Sequence, residues 1–155
     1  MSAALLQPVT ALLATLIAAA SPPQAAVDCD DPLPLDPDAV TREMKLETFG
    51  GARQVGPVCH LSWQGAASPS LLIYGPTAMV EMGREFESTK QAAEQYAGES
   101  PRGVEPLPGV ANGYMVYDPE TPNRRIFVEY QGRIYTIVSQ EQIPLEVLAK
   151  AIIQE

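Results

Sequence analysis

Residues 113–139 read "GYMVYDPETPNRRIFVEYQGRIYTIVS", and their periodicity sets the architecture of the whole chain. Three apolar runs, 113–117, 125–130 and 133–139, are separated by the turn-rich "DPETPN" and by Gln131-Gly132, whose two-residue length suits a tight hairpin. In the second run Ile126, Val128 and Tyr130 alternate with Phe127 and Glu129. In the third, Ile134, Thr136 and Val138 alternate with Tyr135 and Ile137. Successive strand side chains point to opposite faces, so both faces of this sheet carry apolar or aromatic groups. Antiparallel sheets usually keep one face wet, and a cover over part of the second face is therefore expected.

Working outward, "VCHLSW" (58–63) and "LLIY" (71–74) read as two further strands, joined by the turn-rich "QGAASPS" into a hairpin. Before them, Asp36-Pro37 signals a helix start, because a side-chain oxygen caps free amides and proline fits the first helical position. A short helix over 37–45 follows, with Val40 and Met44 on one side, and Gly50-Gly51 breaks the pattern. Between the two sets of strands, Phe86, Ala93 and Tyr96 recur at helical spacing, and Gly98 stands where a helix commonly ends. The glycine- and proline-rich stretch 98–113 reads as a connector. At the end, Pro144 starts a helix whose stripe is Leu145, Leu148, Ala149 and Ile152. The sum is an α+β domain in the order α-β-β-α-β-β-β-α. It has an antiparallel sheet of about five strands and helices packed mainly on one face.

The first residues differ from the rest. No charged side chain precedes Asp28, and residues 9–20, "VTALLATLIAAA", are almost wholly apolar. That run is shorter than the ~20 residues a bilayer span needs, and Ala18-Ala19-Ala20 supplies the small residues of a cleavage site. Residues 1–20 are therefore expected to be a signal peptide, with a site near Ala26 as the alternative. Residues 21–36 form a proline-rich segment, and 37–155 one α+β domain. The chain carries a net charge of -9, which repels phosphate backbones and anionic lipid surfaces. Nucleic acid is excluded as a partner on this ground, no membrane span is expected, and a cationic protein would be attracted.

An exported chain with two cysteines is first read as a disulfide framework, and Cys29 and Cys59 allow one intrachain pairing. Closing such a loop stabilises by ~3–4 kcal/mol in the chain-entropy model. Strand alternation sets Cys59, Leu61 and Trp63 on one face, and Val58, His60 and Ser62 on the other. The adjacent Cys59 and His60 therefore diverge, and zinc would want about four ligands at recognisable spacing. No metal or cofactor is expected, and His60 has no advertised acid or nucleophile to work with.

Other candidates carry equally bland alternatives. Asp28, Asp30 and Asp31 could meet calcium but lack the spaced ligands and glycine of a loop site. Nothing in the spacing of Glu81, Glu85 and Glu129 pins two carboxylates together. Met79, Met82 and Phe86 could wall an apolar pocket or be plain core. The better lead is a set of tyrosines expected to be exposed, Tyr114, Tyr117, Tyr130 and Tyr135 on neighbouring strands, with Arg124, Arg125 and Arg133 at strand ends. These are residue types enriched in recognition hot spots, although cross-strand tyrosines also stabilise sheets without binding anything.

The early cysteine before Asp-Pro, the short helix, "CHLSW", the second helix, "VEPLPGVANGYMVY", "YQGRIYTIV" and the closing helix together resemble the small exported bacterial domains grouped as domain of unknown function 3558. That resemblance spans nearly the whole mature chain and implies an exported α+β domain with no catalytic residues to carry over. Members of that family are commonly lipoproteins, whereas Cys29 here follows Val27-Asp28 rather than the small residues of an acylation site. The functional expectation is an exported, non-catalytic binding or accessory module that recognises a protein. The alternative is a carrier of a small apolar ligand between sheet and helices.

Overall fold

The computed structural model describes residue 29 and residues 32–56, 58–65, 69–75, 86–99, 102–117, 123–139 and 142–154. The expected leader and its cleavage site, Asp28, Asp30 and Asp31, the pair Met79 and Met82, and Glu81 and Glu85 lie outside these residues.

Helix α1 (Pro37–Met44) begins as its sequence dictates: the Asp36 carboxylate accepts the Asp38 N–H at 2.9 Å, and Pro37 occupies the first turn. It ends where Lys45 turns left-handed, at φ 53°. Among the described residues seven strands and two more α-helices follow: β1 (Thr48–Val55), β2 (Val58–Gln64), β3 (Ser70–Tyr74), α2 (Thr89–Tyr96), β4 (Val104–Pro106), β5 (Tyr114–Tyr117), β6 (Arg124–Tyr130), β7 (Arg133–Ser139) and α3 (Leu145–Ala151). All pairings are antiparallel, in the order β1-β2-β3-β7-β6-β5-β4.

The α+β class and the antiparallel sheet are as expected, but the strand count is seven rather than about five, and the element order changes accordingly. The two additional strands are the two edges. β1 runs straight through Gly50-Gly51, because the glycines there form a bulge between Phe49 and Gly51 instead of a break. Gly51 sits at φ 120°, and a Cβ on Gly50 would lie 3.1 Å from the Ser62 carbonyl oxygen. Glycine is what lets β1 approach β2 at this point. β4 is only three residues long, ends in Pro106, and lies within the expected connector.

The hairpins at the centre follow their sequence signals. Gln131 and Gly132 both have positive φ, at 51° and 68°, the conformation that a two-residue link between β6 and β7 requires. β3 then pairs with β7, so that Leu72 meets Val138 and Ile73 meets Ile137. This pairing joins the β1–β3 part to the β4–β7 part in one sheet.

One face of the sheet, here the main face, carries the larger core. Leu61, Leu71, Ile73, Ile126, Val128 and Ile137 pack there against Val40 of α1 and Val147 and Leu148 of α3, all buried. Trp63 fixes α1 to this face: its indole N–H reaches the Pro37 carbonyl at 3.2 Å and the Thr41 hydroxyl at 3.1 Å, while Phe49 packs on its ring at 5.3 Å. The buried side of α3 is Val147, Leu148 and Ala151 with Ile152 beyond, while Leu145 and Ala149 of the expected stripe are only half-buried. The neighbouring α1 turns α3 in this way, and the Lys150 ammonium bonds Glu43 across the pair at 2.7 Å. Backbone bonds from Asp36 N–H to the Ala151 carbonyl and from Ile153 N–H to the Pro34 carbonyl stitch the entry of α1 to the exit of α3.

The opposite, outer face is where the cover expected from the surplus of aromatics is found. Helix α2 lays Ala92 and Ala93 on Val116 and Phe127, flanked by Phe86, Tyr96, Tyr114 and Ile134. Its start is capped by Ser88, whose hydroxyl accepts the Gln91 N–H at 3.1 Å while the Gln91 side chain accepts the Glu87 N–H at 2.6 Å. Among the described residues two helices thus cover the main face and one covers part of the other.

Candidate functional site

The tyrosines expected to form a recognition surface do not share one. Tyr130 and Tyr135 are only 8% and 7% exposed, with their rings edge-on at 6.2 Å on the main face. They are core residues, which corrects the expectation that they are exposed. Tyr117 is half-buried on the same face, with the Arg102 guanidinium 3.9 Å above its ring. Tyr114 points to the outer face and packs in the cluster under α2. Arg133 is exposed at the start of β7, opposite Tyr130, and Arg125 lies over the Tyr96 ring at 4.9 Å. Arg124 is buried and donates to the Ile143 carbonyl, holding the approach to α3. Alternation told which residues share a face, but not which face the helices would seal.

The Cys29–Cys59 bond is formed, with Cα atoms 5.4 Å apart. Cys59 is fully buried on the main face beside Leu61 and Trp63, and the Gln54 side chain accepts the Cys29 N–H at 3.3 Å. His60 lies on the outer face, half-buried, between Arg53 of β1 and Leu72 of β3. Among the described residues no three His, Cys, Asp or Glu side chains gather as metal ligands. Glu129 is exposed on β6, opposite Ile134. Phe86 stacks towards Tyr96 at 6.4 Å as part of the α2 cluster. None of the described helices is long and apolar enough to cross a membrane.

What the geometry does bring together is the outer face of β1–β3. Val55, Val58, His60, Leu72 and Tyr74 line a shallow depression of about 280 Å³. Val55 is 46% exposed, a high value for a valine in a strand. Beside the depression runs β1, eight residues long and at one edge of the sheet, whose residues 52–55 are all exposed. In an antiparallel pair alternate residues turn their N–H and C=O away from the partner strand, so an edge strand offers a row of them to another chain. The far edge differs: β4 is short, bears Glu105 and ends in Pro106, which has no N–H to donate.

Sequence reading passed over Arg53, Val55, Val58, Leu72 and Tyr74. A signal for them was nonetheless present. From residue 48 to residue 75 the chain has no Asp, Glu or Lys, in a protein with nineteen acidic residues, and Arg53 is its one arginine. A second recess lies on the other side of the fold, where Pro108 and Gly109 face Leu145, Glu146, Ala149, Lys150, Ile152 and Gln154 around a groove of about 790 Å³. Within it Glu43 raises the pKa of the Lys150 ammonium, through its hydrogen bond first and its charge second. The Gln154 amide clasps the turn beside it, accepting from Ala111 N–H and donating to the Gly109 carbonyl.

Comparison with family models, with curated proteins and with solved structures gives no match to this chain.

Proposed function

We propose that the chain is an exported, non-catalytic binding module that recognises a protein partner through the open part of its sheet, the outer face of β1–β3 and the β1 edge. The observation that carries this reading is the apolar depression around Val55, which borders an eight-residue edge strand. Exposed apolar groups beside unpaired backbone are costly to keep in water and are the usual ingredients of strand-addition recognition. Export is supported by the disulfide, which persists in oxidising compartments, by the apolar leader-like stretch 9–20, and by the resemblance to exported domains of the unknown-function 3558 type.

Affinity capture from the native envelope or medium tests the proposal, with the disulfide-bonded mature chain as bait. A partner retained by the wild-type chain and by Arg133→Ala, but lost with Val55→Ser and Leu72→Ser, supports it. Retention by all four baits overturns it.

The carrier reading is favoured by one observation, the groove between the Pro108-Gly109 turn and α3, whose size falls in the range of small-molecule sites. Among the described residues its apolar wall is Leu145, Ala149 and Ile152. A rise in thermal midpoint on adding fatty acids, abolished by Ala149→Trp, would decide for it.

A further inference from the structure

Resting on the strand-addition reading above, we infer that the β1 edge takes an extended acidic segment of a partner protein. The segment would run antiparallel to β1 with the pattern apolar-x-acidic. Three features combine to give this chemistry. The first is charge: Arg53 is the one charged side chain of residues 48–75, it is exposed, and it lies on the outer face beside His60, its cross-strand partner. A carboxylate placed beside Arg53 is attracted to it, and an ammonium placed there is repelled.

The second is direction. Every pairing in the sheet is antiparallel, and an added strand that continues this pattern meets Val55 before Arg53. The third is register. Arg53 and Val55 lie on the outer face with His60 and Val58, their cross-strand partners. Directly opposed side chains of antiparallel strands come within about 4.5–5.5 Å. A residue opposite Val55 therefore reaches the depression lined by Val58, Leu72 and Tyr74, and the residue two places later stands beside the Arg53 guanidinium. An apolar side chain suits the first position and a carboxylate the second.

The two faces of β1 differ in what they could offer such a strand. On the main-face side, Gln54 is already engaged by Cys29 and Gly56. Specificity is therefore read on the outer face, and the main-chain bonds supply the rest of the affinity.

The test uses the disulfide-bonded mature protein and two capped heptapeptides, TVTVTET and TVTVTKT, followed by amide NMR and hydrogen exchange. The expected result is slowed exchange at β1 amides with the glutamate peptide, and binding about tenfold weaker for the lysine peptide, as expected for exchanging an opposite for a like charge at a partly desolvated rim. Arg53→Glu should invert the preference and Arg53→Gln should erase it; both replace an exposed side chain. Equal protection of β1 by the two peptides overturns the acidic occupant but leaves strand addition standing. Protection by neither peptide overturns both.

Discussion

The two halves of the outer face are made of the same kind of strand and differ in what lies on them. Over β5 and β6, helix α2 seals Val116 and Phe127 completely, using small Ala92 and Ala93 to come close. Over β1 and β2, Val58 and His60 remain half-buried and Val55 is open to solvent. The first half uses its apolar groups for stability. The second leaves them where a partner can reach them, so substitutions in the two halves should separate folding from recognition.

The largest effect is expected in the sealed half. Phe127→Ala removes a fully buried ring between sheet and helix and should cost about 3–5 kcal/mol of unfolding free energy, read from denaturant midpoints. A loss below about 1 kcal/mol would mean that α2 does not close this face in solution. Next comes the staple. Replacing both cysteines by serine should cost ~3–4 kcal/mol by the loop-entropy argument, seen as the difference between the midpoints of the variant and the oxidised chain. Tyr130→Ala, on the main face, should then cost about 2–4 kcal/mol for loss of a packed aromatic; an unchanged thermal midpoint would return this residue to the list of recognition candidates. The smallest effect on folding belongs to the open half: Val55→Ser should shift stability by no more than about 0.5 kcal/mol while abolishing partner capture. If it unfolds the protein, the contrast between the halves fails.

Much of this division was written in the residues, and its limits are physical. β2, β3, β6 and β7 are legible because their alternation is strong and their turns carry the right chemistry, as Gln131-Gly132 shows with two positive φ angles. The surplus of aromatics on β5–β7 correctly called for a cover, which α2 supplies. β1 was hidden by Gly50-Gly51, since a glycine pair signals a break and a bulge equally well in one dimension. β4 was hidden by being short. The tyrosines misled for a different reason. Period two assigns Tyr130 and Tyr135 to a face, but only the docking of α1 and α3 decides that this face is dry. The open depression escaped because it joins Val55, Val58, Leu72 and Tyr74 from three strands, a juxtaposition that register alone creates.

The stitching of Pro34 and Asp36 to Ile153 and Ala151 has an engineering consequence. Because the strand-like approach to α1 and the residues after α3 are held one hydrogen bond apart, a circularly permuted gene could join them with a short linker and open new termini elsewhere, leaving out Cys29 and so requiring serine in place of Cys59. The tight β6–β7 link is the wrong place for that opening, since it registers the central pair of the sheet. A cut in the Pro108–Asn112 turn would spare every strand and report, through refolding yield, whether the Gln154 clasp is needed to close the ring.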